Sequence, residues 1–133
     1  MDTTLIQGDV SDLAVTTGQQ LLIKPFATSE NDWQFTGTLT TNVATAAKAA
    51  GAASIRNFVT SLTVQNTNAT ATTFLIQDGA TTIWQVSLPA SMTTPLHFTF
   101  TTPLRGTAAT ALNVNCGTTG ASVLTNVQGY QSF

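Results

Sequence analysis

Histidine and cysteine each occur once in these 133 residues, as His97 and Cys116, and that scarcity bounds the chemistry open to the chain. A structural zinc site takes four nitrogen or sulfur ligands, which this pair cannot supply. His97 leaves a Ser-His-Asp arrangement open by count, yet no G-x-S-x-G turn accompanies it. It alternates with Leu96 and Phe98, which places it on the solvent or interface face of a strand. Cys116 shares parity with Leu112 and Val114 and reads as a small buried hydrophobe, not a nucleophile. A lone cysteine also excludes an internal disulfide.

Glycoside hydrolysis needs two opposed carboxylates. The close acidic pairs are Asp9 with Asp12 and Glu30 with Asp32, both near predicted turns, where aspartate serves the backbone. Asp78 is taken up by a hairpin. The nine glycines are scattered and no GK[ST] occurs, so there is no phosphate loop. Asn68-Ala69-Thr70 matches a glycosylation sequon, a match expected by chance in a chain so rich in threonine. Trp33, Phe35, Trp84 and Tyr130 are candidates for a carbohydrate platform. Trp84 alternates with Val86 and Leu88 and so reads as core, while Trp33 and Phe35 fit either core or an apolar contact patch. The expectation is a protein with no catalytic, cofactor or metal site and no small-molecule substrate.

Charge narrows the partners. Charged residues make up 8% of the chain, against roughly 25% in ordinary soluble proteins. Threonine, about a fifth of the residues, replaces them. The four basic residues, Lys24, Lys48, Arg56 and Arg105, are too dispersed to neutralise a phosphate backbone. Runs of large apolar residues stop at three, as in Leu21-Leu22-Ile23, so no bilayer-spanning segment is expected. Met1 to Val10 carry two aspartates and no apolar block, unlike a signal peptide.

The elements that position these residues read as strands. Threonine, valine, isoleucine and phenylalanine suit pleated sheets, and the surface helix formers are nearly absent. Period-2 alternation runs through Arg56–Asn66, with Val59 as the exception, and through the segments around Trp84, Phe98 and Val114. Gln20–Lys24 and Trp33–Leu39 also read as strands, joined by the Pro25–Asp32 loop. Asp78-Gly79 predicts a type I′ hairpin turn, and Gly117–Gly120 a looser one. Pro89 and Pro103 are expected to end strands, and Pro95 to precede one. The Ala-rich stretch 42–53 fits a short helix or an extended loop. Eight or nine short strands in one domain predict an all-β sandwich with little helix, and a jelly roll fits best.

Three segments carry a resemblance: Ala52-Ala53-Ser54-Ile55-Arg56-Asn57-Phe58-Val59-Thr60-Ser61-Leu62, Asp78-Gly79-Ala80-Thr81-Thr82-Ile83-Trp84, and Pro103-Leu104-Arg105-Gly106-Thr107-Ala108 followed by Ala111-Leu112-Asn113-Val114. With the closing Val127-Gln128-Gly129-Tyr130, they resemble small structural proteins of tailed double-stranded DNA bacteriophages, among them the capsid decoration (cement) proteins. The resemblance covers about residues 50–130. It implies a β-rich, often trimeric virion protein on the capsid surface, assembled in the host cytoplasm, with the major capsid protein as partner and no enzymatic activity. Tail or fibre accessory proteins, which touch the host surface or another tail component, are the neighbouring expectation.

Two sets of residues are candidates for the partner interface. Asp9 and Asp12 lie in residues 1–15, which read as an arm that orders on a partner or as a plain first strand before the sandwich over 16–133. Arg56 and Arg105 sit beside apolar strands, placed for interface ion pairs or for ordinary intrachain ones.

Overall fold

A computed structural model describes residues 31–133. The candidate interface residues Asp9 and Asp12, the arm or strand over 1–15, the Gln20–Lys24 strand and the start of the 16–133 domain lie outside the described residues. The described chain is all-β, with eight strands and no helix: β1 (Asp32–Leu39), β2 (Thr45–Lys48), β3 (Arg56–Asn66), β4 (Thr72–Asp78), β5 (Thr81–Leu88), β6 (Leu96–Arg105), β7 (Leu112–Cys116) and β8 (Val123–Ser132). They form two four-stranded sheets, ordered β1-β8-β3-β6 and β2-β7-β4-β5. The antiparallel pairs β1·β8, β2·β7, β3·β6 and β4·β5 nest one inside another around the β4–β5 turn. The β3·β8 and β4·β7 pairings stitch the nested pairs into sheets.

Alternation produces the sandwich. Leu112, Val114 and Cys116 turn inward from β7, and Phe74 and Ile76 from β4, all without solvent access. Fully burying a side chain of this kind contributes about 1.5–3 kcal/mol, so this inner layer is the main force holding the two sheets together.

Val59, the exception to parity in β3, marks a bulge. Val59 pairs with Gly129 and Ser61 with Gln128, leaving Thr60 as an extra residue against β8. The insertion flips the pattern, so Asn57 and Val59 point inward before it and Leu62, Val64 and Asn66 after it. Phe58 consequently faces outward, where its ring stacks on Tyr130 with centroids 4.8 Å apart and planes 9° from parallel.

Three other expectations are corrected. Pro103 does not end a strand but lies within β6, where the pairing with β3 jumps from Leu104 to Thr99. An outermost strand tolerates proline there because one of its edges needs no donor. The hairpin closes on the Asp78–Thr81 pair, so Gly79-Ala80 are its central residues. Among them only Gly79 has positive φ, at 61°, which meets the type II′ requirement of glycine at the first central position and not that of type I′. The Ala-rich stretch is neither helix nor plain loop, because Thr45–Lys48 form β2 against β7. Alanine's helix propensity yields there to a neighbouring strand with free hydrogen-bonding groups. Trp84 packs against the core as its alternation implies, Phe35 does likewise, and Trp33 and Tyr130 are buried.

The bulge also dictates Gly129. A Cβ at that position would lie 1.8 Å from the Phe58 carbonyl oxygen and 2.7 Å from the Trp33 ring. The first obstacle is backbone in a central strand and cannot swing aside. Gly129→Ala is expected to cost about 3 kcal/mol in urea unfolding. An unchanged midpoint would mean that the β3 bulge yields freely.

Candidate functional site

Pairing of Phe58 with Arg105 brings the two candidate arginines to one corner of the sandwich. Arg56 Nη1 donates to the Gly106 carbonyl at 3.1 Å, while Arg105 stays exposed. No ion pair among the described residues engages either. The turn beyond them is held by Asp78, whose carboxylate accepts from the Thr107 amide at 3.0 Å and from its hydroxyl at 2.5 Å. Charge-assisted bonds of this kind are about twice as strong as neutral ones. Gly106 is buried under them, with Asp78 Oδ1 3.1 Å from where a Cβ would sit. The corner therefore presents two cations beside a braced turn, whose Asp78 carboxylate is turned to the backbone.

His97 lies on the outer face of the β1-β8-β3-β6 sheet, as its alternation implies. Its Nδ1 is 2.8 Å from Thr63 Oγ1 and its Nε2 3.1 Å from Thr99 Oγ1. Both ring nitrogens are thus occupied by hydroxyls, and no carboxylate orients the ring as a general base requires. Register extends this arrangement over the face. Thr36, Asn126, Thr63 and His97 form one row, and Gln34, Gln128, Ser61 and Thr99 the next. Thr36 donates to Asn126 Oδ1 at 2.9 Å and Ser61 to Gln128 Oε1 at 3.2 Å. Neither row holds a formally charged side chain. The result is a neutral lattice of hydroxyls and amides, much of whose hydrogen bonding is already satisfied within the sheet.

At the bulge this face dips into an open cleft of about 640 Å³, bordered by Asp32, Gln34, Thr60, Gln128 and Tyr130 above the paired Trp33 and Gly129. Asp32 is its one carboxylate. No cluster of three or more histidine, cysteine, aspartate or glutamate side chains occurs among the described residues. No helix among them is long and apolar enough to cross a membrane. No protein-family model matches the chain, and no curated protein matches it.

Two structural asparagines escaped the reading of the sequence. Asn57 and Asn66, both almost wholly buried, look like turn residues at strand ends. The only sequence signal for the first was the broken parity around Val59.

Cys116 is fully buried, as its parity implies, and its Sγ donates to the Thr41 carbonyl at 3.0 Å. Burial pushes its thiol pKa up, and burial does the same to the Tyr130 phenol. Both groups therefore hold their protons more tightly folded than unfolded. Their contribution is complete below the ordinary thiol and phenol values and is lost as the pH rises through the raised folded ones. Stability is expected to fall on the alkaline side. At neutral pH, Cys116 should be alkylated by iodoacetamide only as fast as the chain opens. Rapid alkylation of native protein would contradict this.

Proposed function

We propose that this protein is a capsid decoration (cement) protein of a tailed bacteriophage. It binds the outside of the assembled head, at junctions of the major capsid protein, as a homotrimer. The reading is carried by the phage-like segments between residues 52 and 130, which map onto β3, the β4–β5 turn, the end of β6, β7 and β8. The likeness thus falls mostly on the framework of the domain. The nested strand pairs support a jelly roll, which places eight strands in two Greek keys.

Physical chemistry supports the same reading. A neutral lattice of threonine, asparagine and glutamine suits docking on another protein surface over large areas without a strict demand on charge. The corner bearing Arg56 and Arg105 supplies two planar cations for carboxylates on that surface. Such a protein has no reaction to perform, requires no cofactor, and acts by mass action. Binding only the expanded shell, it stabilises each site by about 2.7 kcal/mol at a free concentration a hundred times Kd.

Purified particles are expected to carry the protein on the order of hundreds of copies, as repeated capsid symmetry requires. Particles lacking it should release DNA at a lower temperature, and adding the protein back should restore the difference. A dozen or fewer copies per particle would assign it to the tail or fibre instead.

A further inference from the structure

Hydrogen-bonding groups on the outer face of the β1-β8-β3-β6 sheet are not used evenly. Thr36 bonds to Asn126 and Ser61 to Gln128, while His97 is tied to Thr63 and Thr99. The cleft at the bulge is different. Among the described residues, nothing bonds to the Asp32 carboxylate or to the Gln34 side chain. Gln128 accepts from Ser61 through Oε1, and its Nε2 bonds to nothing there. Beneath them Trp33 is only 8% exposed, and its indole Nε1 is buried with no partner. Folds seldom leave a buried donor unpaired without a reason.

Register sets these groups side by side. Asp32 pairs with Tyr130, Trp33 with Gly129 and Gln34 with Gln128. Cross-strand neighbours stand about 5 Å apart, and successive residues on one face of a strand about 7 Å. One six-membered ring with its substituents can therefore bridge Asp32, Gln34 and Gln128. Gly129 adds no side chain to the floor between them. The indole Cζ2 lies 2.7 Å from where its Cβ would be, and that ring atom is two bonds from Nε1. The nitrogen-bearing edge of Trp33 thus abuts the one lining residue that has no side chain. Tyr130 borders the cleft, its ring braced by the stack with Phe58.

We propose that this cleft binds a neutral carbohydrate, one sugar residue of a glycan held by Asp32, Gln34, Gln128 and the Trp33 indole. The site goes beyond the cement reading and does not depend on it. Donor and acceptor capacity decides the class of ligand. An ionised Asp32 only accepts, the Trp33 and Gln128 nitrogens only donate, and the Gln34 amide does both. An anion would meet the Asp32 carboxylate. A cation would suit Asp32 but has no acceptor to offer Trp33 or Gln128. A hydroxyl donates and accepts at once, and the adjacent hydroxyls of a sugar ring present several such groups together. Recognition by hydrogen bonds in a cleft also requires no exposed aromatic platform. The cleft's volume of about 640 Å³ is in the range of small-ligand sites, and its open mouth leaves room for the rest of a glycan chain.

Nuclear magnetic resonance of the nitrogen-15-labelled full chain tests this, with the methyl glycosides of glucose, galactose, mannose and N-acetylglucosamine as probes. The two tryptophans give two indole N–H signals, and Trp33→Phe identifies which is which. At least one glycoside is expected to shift the Trp33 signal saturably and leave that of Trp84 in place. A Kd of about 1 mM is the ligand-efficiency expectation for a molecule of that size. Asp32 and Gln34 are exposed and make no bonds of their own, so Asp32→Asn and Gln34→Ala should keep the fold. Each should weaken binding about tenfold. Methylguanidinium and acetate serve as charged probes: saturation by either, with none by a glycoside, overturns the ligand class. No saturable shift with any probe overturns the site, and so do variants that bind the glycoside as tightly as wild type. Copy number on particles tests the cement reading separately.

Discussion

Both ends of β3 are held by asparagines that have almost no access to water, and most loops of the sandwich hang from one or the other. The amide nitrogen of Asn57 donates to the carbonyls of Ala49 and Thr110, each at 3.2 Å, while its oxygen accepts from Gln131 at 2.9 Å. The nitrogen of Asn66 donates to Thr70 and Pro89 at 2.9 and 3.0 Å, and its oxygen accepts the Asn68 amide at 3.1 Å. Each side chain thus satisfies both donors and its acceptor, Asn57 from two connections and β8, and Asn66 from the β3–β4 and β5–β6 connections. A buried amide with a missing partner costs about 1–3 kcal/mol, so no connected loop can shift without exposing that penalty. Two polar side chains, spaced by the length of one strand, fix the geometry at both ends of a sandwich whose middle is mostly apolar.

The bulge at Thr60 is the complementary device. It lets β3 present Asn57 and Asn66 inward at opposite ends, nine residues apart, a separation that strict alternation would put on opposite faces. Its geometric cost falls on β8, which must have glycine at position 129. Its outward effect is the cleft bordered by Asp32, Gln128 and Tyr130. The core, the tied loops and the relief of the outer face thus share one local irregularity.

Alternation around Trp84, Phe98 and Val114 was readable because those strands are regular and half buried, so the side-chain period survives in the residue order. The inward Cys116 and outward His97 follow from the same rule. The bulge in β3 was visible only as Val59 out of place, since one inserted residue reverses parity and then resembles noise. β2 was not readable, because Thr45–Lys48 are held by pairing with β7 and not by their own propensity. Pro103 misled because whether a strand is outermost depends on sheet order, which no local window contains. The meeting of Arg56 with the Arg105 turn likewise depends on β3–β6 pairing between residues about fifty positions apart.

Strand order also governs how the chain can be made. β8 lies between β1 and β3, and the side-chain bond from Thr36 to Asn126 spans 90 positions. The β2-β7-β4-β5 sheet has all its members once Cys116 has left the ribosome. Its counterpart lacks the strand that joins β1 to β3 until some sixteen further residues emerge. During that interval Trp33, Val59 and Leu62 have no finished surface to bury against, and distant pairings of this kind form slowly. The β1-β8-β3-β6 sheet can therefore close only once β8 is available to join β1 to β3.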